Sequence, residues 1–178
     1  MTAGPLLIIW HSRTGTSEQL AKAAAKGARE GARLLRASES GPDDLLAAGG
    51  YIFCCPENLA SMSGEMKEMF DRCYYPALGR IEGRPYTTII AAGSDGEGAQ
   101  RQIDRIATGW RLKRITDPWI VNTDAQEPED ILAPKTVDAS DLDRASEIGA
   151  AMADGHLVLE HPGRASDVTL IARLCGLD

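Results

Sequence analysis

The sequence predicts a doubly wound α/β fold, a five-stranded parallel sheet with helices on both faces, for which 2-1-3-4-5 is a common strand order. Three observations carry that expectation. Apolar runs of strand length alternate with segments of helical period along the chain. The third run, Tyr51–Cys55, is apolar throughout, as a strand covered on both faces must be. Finally, stretches rich in Ser, Thr, Gly and Pro follow the first, third and fourth strands. In this strand order, with right-handed crossovers, those three strands are adjacent and their loops meet in one crevice at the carboxyl edge.

Leu6–Trp10 is the first strand. The helix after it, from Thr16 to about Glu30, turns a small-residue face of Leu20, Ala21, Ala24, Ala28 and Gly31 inward. Thr16-x-x-Gln19 has the form of a capping box. Arg33–Ala37 is a short second strand, and Pro42-Asp43-Asp44 begins a brief helix that stops at Gly49-Gly50. After the third strand, Met66, Met69, Phe70, Cys73 and Ala77 recur at helical spacing and predict a helix from Ser63 to about Leu78. Tyr86–Ala92 is the fourth strand. The next helix buries Ala99, Ile103, Ile106 and Trp110 and closes on Arg111, Lys113 and Arg114, cations that complement a helix C-terminus. Trp119–Asn122 is the fifth strand, with its tryptophan in the core. A loop through Gln126, Pro128 and Pro134 leads to a last helix from near Ser140 that buries Leu142, Ala145, Ile148 and Met152. Residues 1–154 form one domain. Residues 155–178, with His156, His161 and Pro162, are a tail that docks on the body, joins a dimer interface or hangs free.

The stretch from Trp10 to Ser17 carries the chemistry. A buried strand runs into a hydroxyl-rich turn, and a long helix starts there. The first N–H groups of a helix have no partner inside it, and the macrodipole adds partial positive charge, so this is an anion site. Ser12, Thr14, Thr16 and Ser17 add hydroxyl donors, and Gly15 lets the backbone approach closely. Arg13 is the loop's sole fixed charge. A phosphate gripped mostly by neutral donors suits a retained cofactor better than a group in transfer. Plainer readings exist for each loop: an N-capped turn for Ser12–Ser17, a surface connection before an ordinary helix start for Pro56–Ser63, and a generic glycine-rich turn for Gly93–Gly98. His11, at the strand end, reads as a hydrogen-bonded structural histidine.

Composition excludes several classes. The chain has 178 residues and a formal charge of −7, which argues against nucleic acid or an anionic membrane as partner. No apolar run reaches membrane-spanning length, and the N-terminus lacks a basic segment followed by a long apolar one. Cys54, Cys55, Cys73 and Cys175 form no C-x-x-C pair, and adjacent Cys54 and Cys55 point to opposite faces of a strand. Reduced thiols, a cytoplasmic location and no metal site are the expectation.

Ser12-Arg13-Thr14-Gly15-Thr16-Ser17 resembles the phosphate-binding loop of the flavodoxin family. The stretch from Pro56 to Lys67, extended by Phe70-Asp71-Arg72, resembles the second flavin loop of NAD(P)H-dependent FMN reductases and related quinone reductases. There a proline ends strand three and a lysine-containing helix follows. Ala92–Gly98 is similar to the family's third loop. The resemblance spans residues 6–153 and implies FMN as cofactor. It places Ser12, Arg13, Thr14, Gly15, Thr16 and Ser17 on the 5′-phosphate. Pro56, Glu57, Asn58, Leu59, Ala60, Ser61 and Met62 would run along one edge of the isoalloxazine. Gly93, Ser94, Asp95, Gly96 and Gly98 would close the other side and leave the ring edge accessible.

The chain departs from the electron-carrier flavodoxins in one respect: neither Glu57–Ser63 nor Gly93–Gln100 contains an aromatic residue to sandwich the flavin. A ring with one open face favours a reductase that takes hydride from NAD(P)H and passes electrons to a quinone-like or other small acceptor. The flavin then carries the chemistry, and no side chain is nominated as catalytic. The alternatives are a flavodoxin-type electron carrier serving a protein redox partner, steered by complementary charge, and a flavodoxin-like binding domain without cofactor. The bare loops and the tail point toward a homodimer.

Overall fold

A computed structural model describes residues 4–155. In chain order its elements are β1 (Leu6–Trp10), α1 (Thr16–Ala28), β2 (Ala32–Arg36), α2 (Pro42–Ala47), β3 (Gly50–Asn58), β4 (Ser61–Met62) and α3 (Gly64–Ala77). They are followed by β5 (Pro85–Ala92), α4 (Glu97–Gly109), β6 (Lys113–Arg114), β7 (Trp119–Asn122), α5 (Pro128–Leu132) and α6 (Ala139–Ala153). The sequence expectation for the tail, with its docked, dimeric or free alternatives, lies outside the described residues.

β1 pairs in parallel with β2 on one side and β3 on the other, and β5 lies in parallel beyond β3. Along the outer edge of β5, β6 pairs with Pro85–Tyr86 and β7 with Ile89–Ala92, both parallel. The long strands therefore run β2-β1-β3-β5-β7, the expected doubly wound order, and two short strands are added to it. One is β4, which folds back antiparallel on the far end of β3 through Glu57–Met62 and Asn58–Ser61. The third strand continues past Pro56, where its apolar run ends, because this hairpin gives it a partner, so Glu57 and Asn58 are strand residues and not the open loop the sequence suggests. The other is β6. The fourth helix ends at Gly109, so Lys113 and Arg114 do not close it: Arg114 pairs with Asp104 and its guanidinium lies 5.0 Å over the Tyr86 ring.

Alternation along the strands divides the core in two. Leu7, Ile9, Phe53 and Cys55 face Met66, Phe70, Ile103 and Trp110 on one side of the sheet. Ile8, Trp10, Ile52 and Cys54 face Leu20, Ala24, Ile148 and Met152 on the other. The two adjacent thiols thus sit in different cores, as expected. Burial pushes the Cys55 thiol up to about 12 and raises Cys54 as well, so both act as small hydrophobes.

α1 against α6 is the largest helix–helix packing in the fold. A Cβ on Gly27 would fall on the Ser146 carbonyl oxygen, and one on Gly149 on that of Ala24. The two backbones therefore touch, which fixes the axis of α1 and with it the direction in which its N-terminus points.

Candidate functional site

β1 stops at Trp10, and the chain turns so that the Ser12 hydroxyl accepts a hydrogen bond from Gly15 N–H at 3.0 Å. Gly15 occupies the N-cap of α1 with φ 102°, a left-handed conformation that glycine adopts without strain, and no side chain caps the helix. The expected Thr16/Gln19 capping box does not form. Gln19 instead reaches across the fold: its side-chain amide donates to the Lys135 carbonyl at 2.8 Å and to Gly15 at 3.1 Å, while its Oε1 accepts from Val137 N–H at 3.3 Å. The first turn of α1 is left open. The Thr16 and Ser17 hydroxyls lie there, buried and without a hydrogen-bond partner among the described residues.

Buried hydroxyls are normally satisfied, so two orphans at the positive end of a helix mark a place shaped for an acceptor. That place is a crevice open to solvent. Ser12, Arg13, Thr14, Thr16 and Ser17 form one wall, and Pro56, Glu57 and Asn58 a second. Ala91, Ala92 and Gly93 at the end of β5 form the floor between them. Gly93 is required there, because a Cβ would come within 2.5 Å of the Ala125 carbonyl. The convergence of the three loops anticipated from strand order is real.

Several expected residues do not reach the crevice. Leu59 and Ala60 form the tip of the β3–β4 hairpin with φ 53° and 57°, and Leu59 is fully exposed. Ser61 and the Met62 N–H bond to Gln102, and the Met62 side chain is in the core. Ser94 and Asp95 face solvent. Gly96 and Gly98 serve packing and do not keep an edge clear: a Cβ on Gly96 would meet Ile120 at 2.5 Å, and one on Gly98 would fall on the Ala60 carbonyl. Glu57 spends its carboxylate on the protein itself, accepting from Gly96 N–H and Ala99 N–H at 2.9 Å each. It thereby caps α4 and ties the third loop to the second.

A fourth wall was not legible in the sequence. Thr123, Ala125, Ile131, Leu132 and Lys135 complete the crevice. The strap they belong to is pinned by Lys135 N–H donating to the Thr14 carbonyl at 2.8 Å. Lys135 also adds a second cation beside Arg13, although its ammonium donates to the carbonyls of Asp130 and Ala133. No periodicity announces this segment. The long-range bonds of Gln19 and of Lys135 to Thr14 place it.

His11 lies outside the crevice lining, with Nε2 3.7 Å from Glu65 and Nδ1 buried without a partner among the described residues. Burial lowers its pKa from 6.5; Glu65 opposes the fall, while Arg36 and Arg13 add to it. A depressed histidine contributes stability that is complete above the unfolded pKa and is lost as pH falls through the folded one. The urea midpoint is therefore expected to drop between about pH 7 and about pH 5, and the drop to shrink in His11→Gln. Unfolding curves at the two pH values check this.

Among the described residues no group of three or more His, Cys, Asp or Glu is placed to hold a metal ion, and no helix is long and apolar enough to cross a membrane. Residues 42–126 match the family described as NADPH-dependent FMN reductase. That span includes the second and third loops and excludes both Ser12–Ser17 and the strap. A flavodoxin from Aquifex aeolicus (strain VF5) is 33% identical over 99 residues, 53% of this chain and 54% of that protein, so the match spans about half the curated relative's length. Among solved structures, an archaeal flavodoxin superposes with TM-score 0.68 at 15% identity, covering 85% of this chain and 97% of that one. A WrbA-like protein from Agrobacterium tumefaciens gives 0.66 at 17% identity, covering 85% and 96%. Identities this low establish the fold.

Proposed function

Because the chain is a flavodoxin-like protein that matches the NADPH-dependent FMN reductases over residues 42–126, we propose that it binds FMN and transfers electrons from NAD(P)H to a quinone-like or other small acceptor. The observation that carries the cofactor is the pair of unpartnered buried hydroxyls, Thr16 and Ser17, at the N-terminus of α1. The donor set fits a phosphate ester: two hydroxyls, the free N–H groups of a helix's first turn, Thr14 beside them, and Arg13 at the rim. Ser12 orients the turn by accepting from Gly15 and is not itself the main donor.

FMN, when bound, supplies the hydride and electron chemistry. The protein's residues hold and orient it. Pro56 and Asn58 would flank it on one side and Gly93 on the other, while Glu57 acts indirectly by bracing the third loop against the second. We take residues 1–154 as the flavin-binding unit. A homodimer would bring a second surface to the ring, and buried free thiols at Cys54, Cys55 and Cys73 suit the cytoplasm.

The bare second and third loops favour the reductase. The likeness to the Aquifex flavodoxin favours a second reading, an electron carrier for a protein partner. Anaerobic mixing of the FMN-loaded protein with NADPH separates them. The expected result is loss of the yellow flavin absorbance. Flavin that neither NADPH nor NADH bleaches would leave the carrier, and a protein that takes up no FMN would remove both.

A further inference from the structure

Ile131 and Leu132 are 48% and 66% exposed, yet both face the crevice. They sit on α5, which has no fully buried residue, while Val137 just beyond it is anchored in the second core. A polar latch adds to that anchor. Lys135 N–H donates to Thr14, Gln19 donates to the Lys135 carbonyl, and Val137 N–H donates to Gln19. The Lys135 ammonium closes on the carbonyls of Asp130 and Ala133 at the end of α5. Two large apolar side chains are thus held against water at a crevice whose other end is an anion cradle. Exposed apolar surface maintained in this way marks a binding surface.

The loops that would be expected to cover a flavin lack the means. Glu57–Ser63 and Gly93–Gln100 contain no aromatic ring, and the one large apolar side chain at the hairpin tip, Leu59, points to solvent. We propose that Ile131 and Leu132 supply this cover. The strap latched by Gln19 lays them on the apolar ring of an FMN whose phosphate sits on α1. The inference rests on the FMN reading above and assigns the specificity-determining contact within it. The ring is the occupant because the pair is continuous with the phosphate cradle, lining one crevice with Thr14, Thr16 and Ser17, and because the ring is the only extended apolar part of FMN.

The test titrates FMN and riboflavin, followed by flavin fluorescence, into the wild-type protein, the double variant Ile131→Ser/Leu132→Ser, and Ser17→Ala. Riboflavin shares the ring and lacks the phosphate. The double variant is expected to bind both ligands about tenfold more weakly, since two apolar contacts are lost. Ser17→Ala is expected to weaken FMN and leave riboflavin unchanged. Gln19→Met, which cuts the latch but keeps the pair, is expected to weaken riboflavin as well. Since α5 has no fully buried residue, the double variant should melt within a few degrees of the wild type. Unchanged affinity for both flavins in the double variant overturns the proposal. So does weakening of FMN alone, which would put the pair at the phosphate end, or a change only in oligomeric state, which would make it a contact between copies. A wild-type protein that binds neither flavin sinks the cofactor reading itself, a result distinct from these.

Discussion

Gly149→Val is expected to lower the unfolding free energy by about 3 kcal/mol, the upper range for forcing volume into a closed contact. The side chain would have to occupy the space of the Ala24 carbonyl, and neither α6 nor α1 can move away alone. The reciprocal contact of Gly27 on the Ser146 carbonyl holds the same pair of helices one turn further along. Glycine within a helix costs roughly 0.5–1 kcal/mol relative to alanine, and two such costs are tolerated here because close approach sets the position of α1. Urea denaturation is the measurement. Gly64→Ala is the control: a Cβ there meets nothing within 4 Å, so its midpoint should hold or rise. If Gly149→Val leaves the midpoint unchanged, α1 and α6 do not pack at backbone contact. FMN uptake is expected to fall in the same variant, because the cradle is the first turn of α1.

Ser17→Ala is expected to move stability and binding in opposite directions. Its hydroxyl is buried and has no hydrogen-bond partner among the described residues. Deleting it removes a desolvation penalty of about 1 kcal/mol or more and puts a better helix former in the first turn. The ligand-free protein should therefore melt at the same temperature or higher. Binding should suffer, because a hydrogen bond to a charged acceptor is worth roughly 1.5–3 kcal/mol, or about tenfold to a hundredfold in affinity. Thermal melts without ligand and FMN titrations give the two readings. A variant that loses stability while keeping affinity would mean that the hydroxyl serves the fold and that the phosphate sits elsewhere. Few residues separate those two roles as cleanely as a buried orphan.

The fold and one half of the site were legible from local pattern. Apolar runs of strand length and helical-period spacing placed the five long strands and four of the helices to within a few residues, because the strands are covered on both faces and each helix must bury one face against the sheet. The hydroxyl loop was legible for a related reason: an anion site at a helix N-terminus is built from consecutive residues. Legibility stopped where one residue type serves two purposes. Gln19 has the spacing of a capping residue and is spent on Lys135 and Val137, 116 and 118 positions away. Gly96 and Gly98 look like flavin-loop glycines and instead admit Ile120 and the hairpin carbonyl of Ala60. Glu57 stands in the flavin loop by sequence and caps α4 in space.

By itself, the sequence determined the alternation of strands and helices and the hydroxyl loop at the start of α1, since these follow from short-range pattern. Tertiary structure alone decided what closes the crevice. The strap around Ile131, Leu132 and Lys135 has no apolar period, so its place comes from the buried Ala125 and Val137 at its ends and from a few hydrogen bonds to residues more than a hundred positions earlier. Bonds of that span depend on where two distant backbones meet, and no local pattern encodes it.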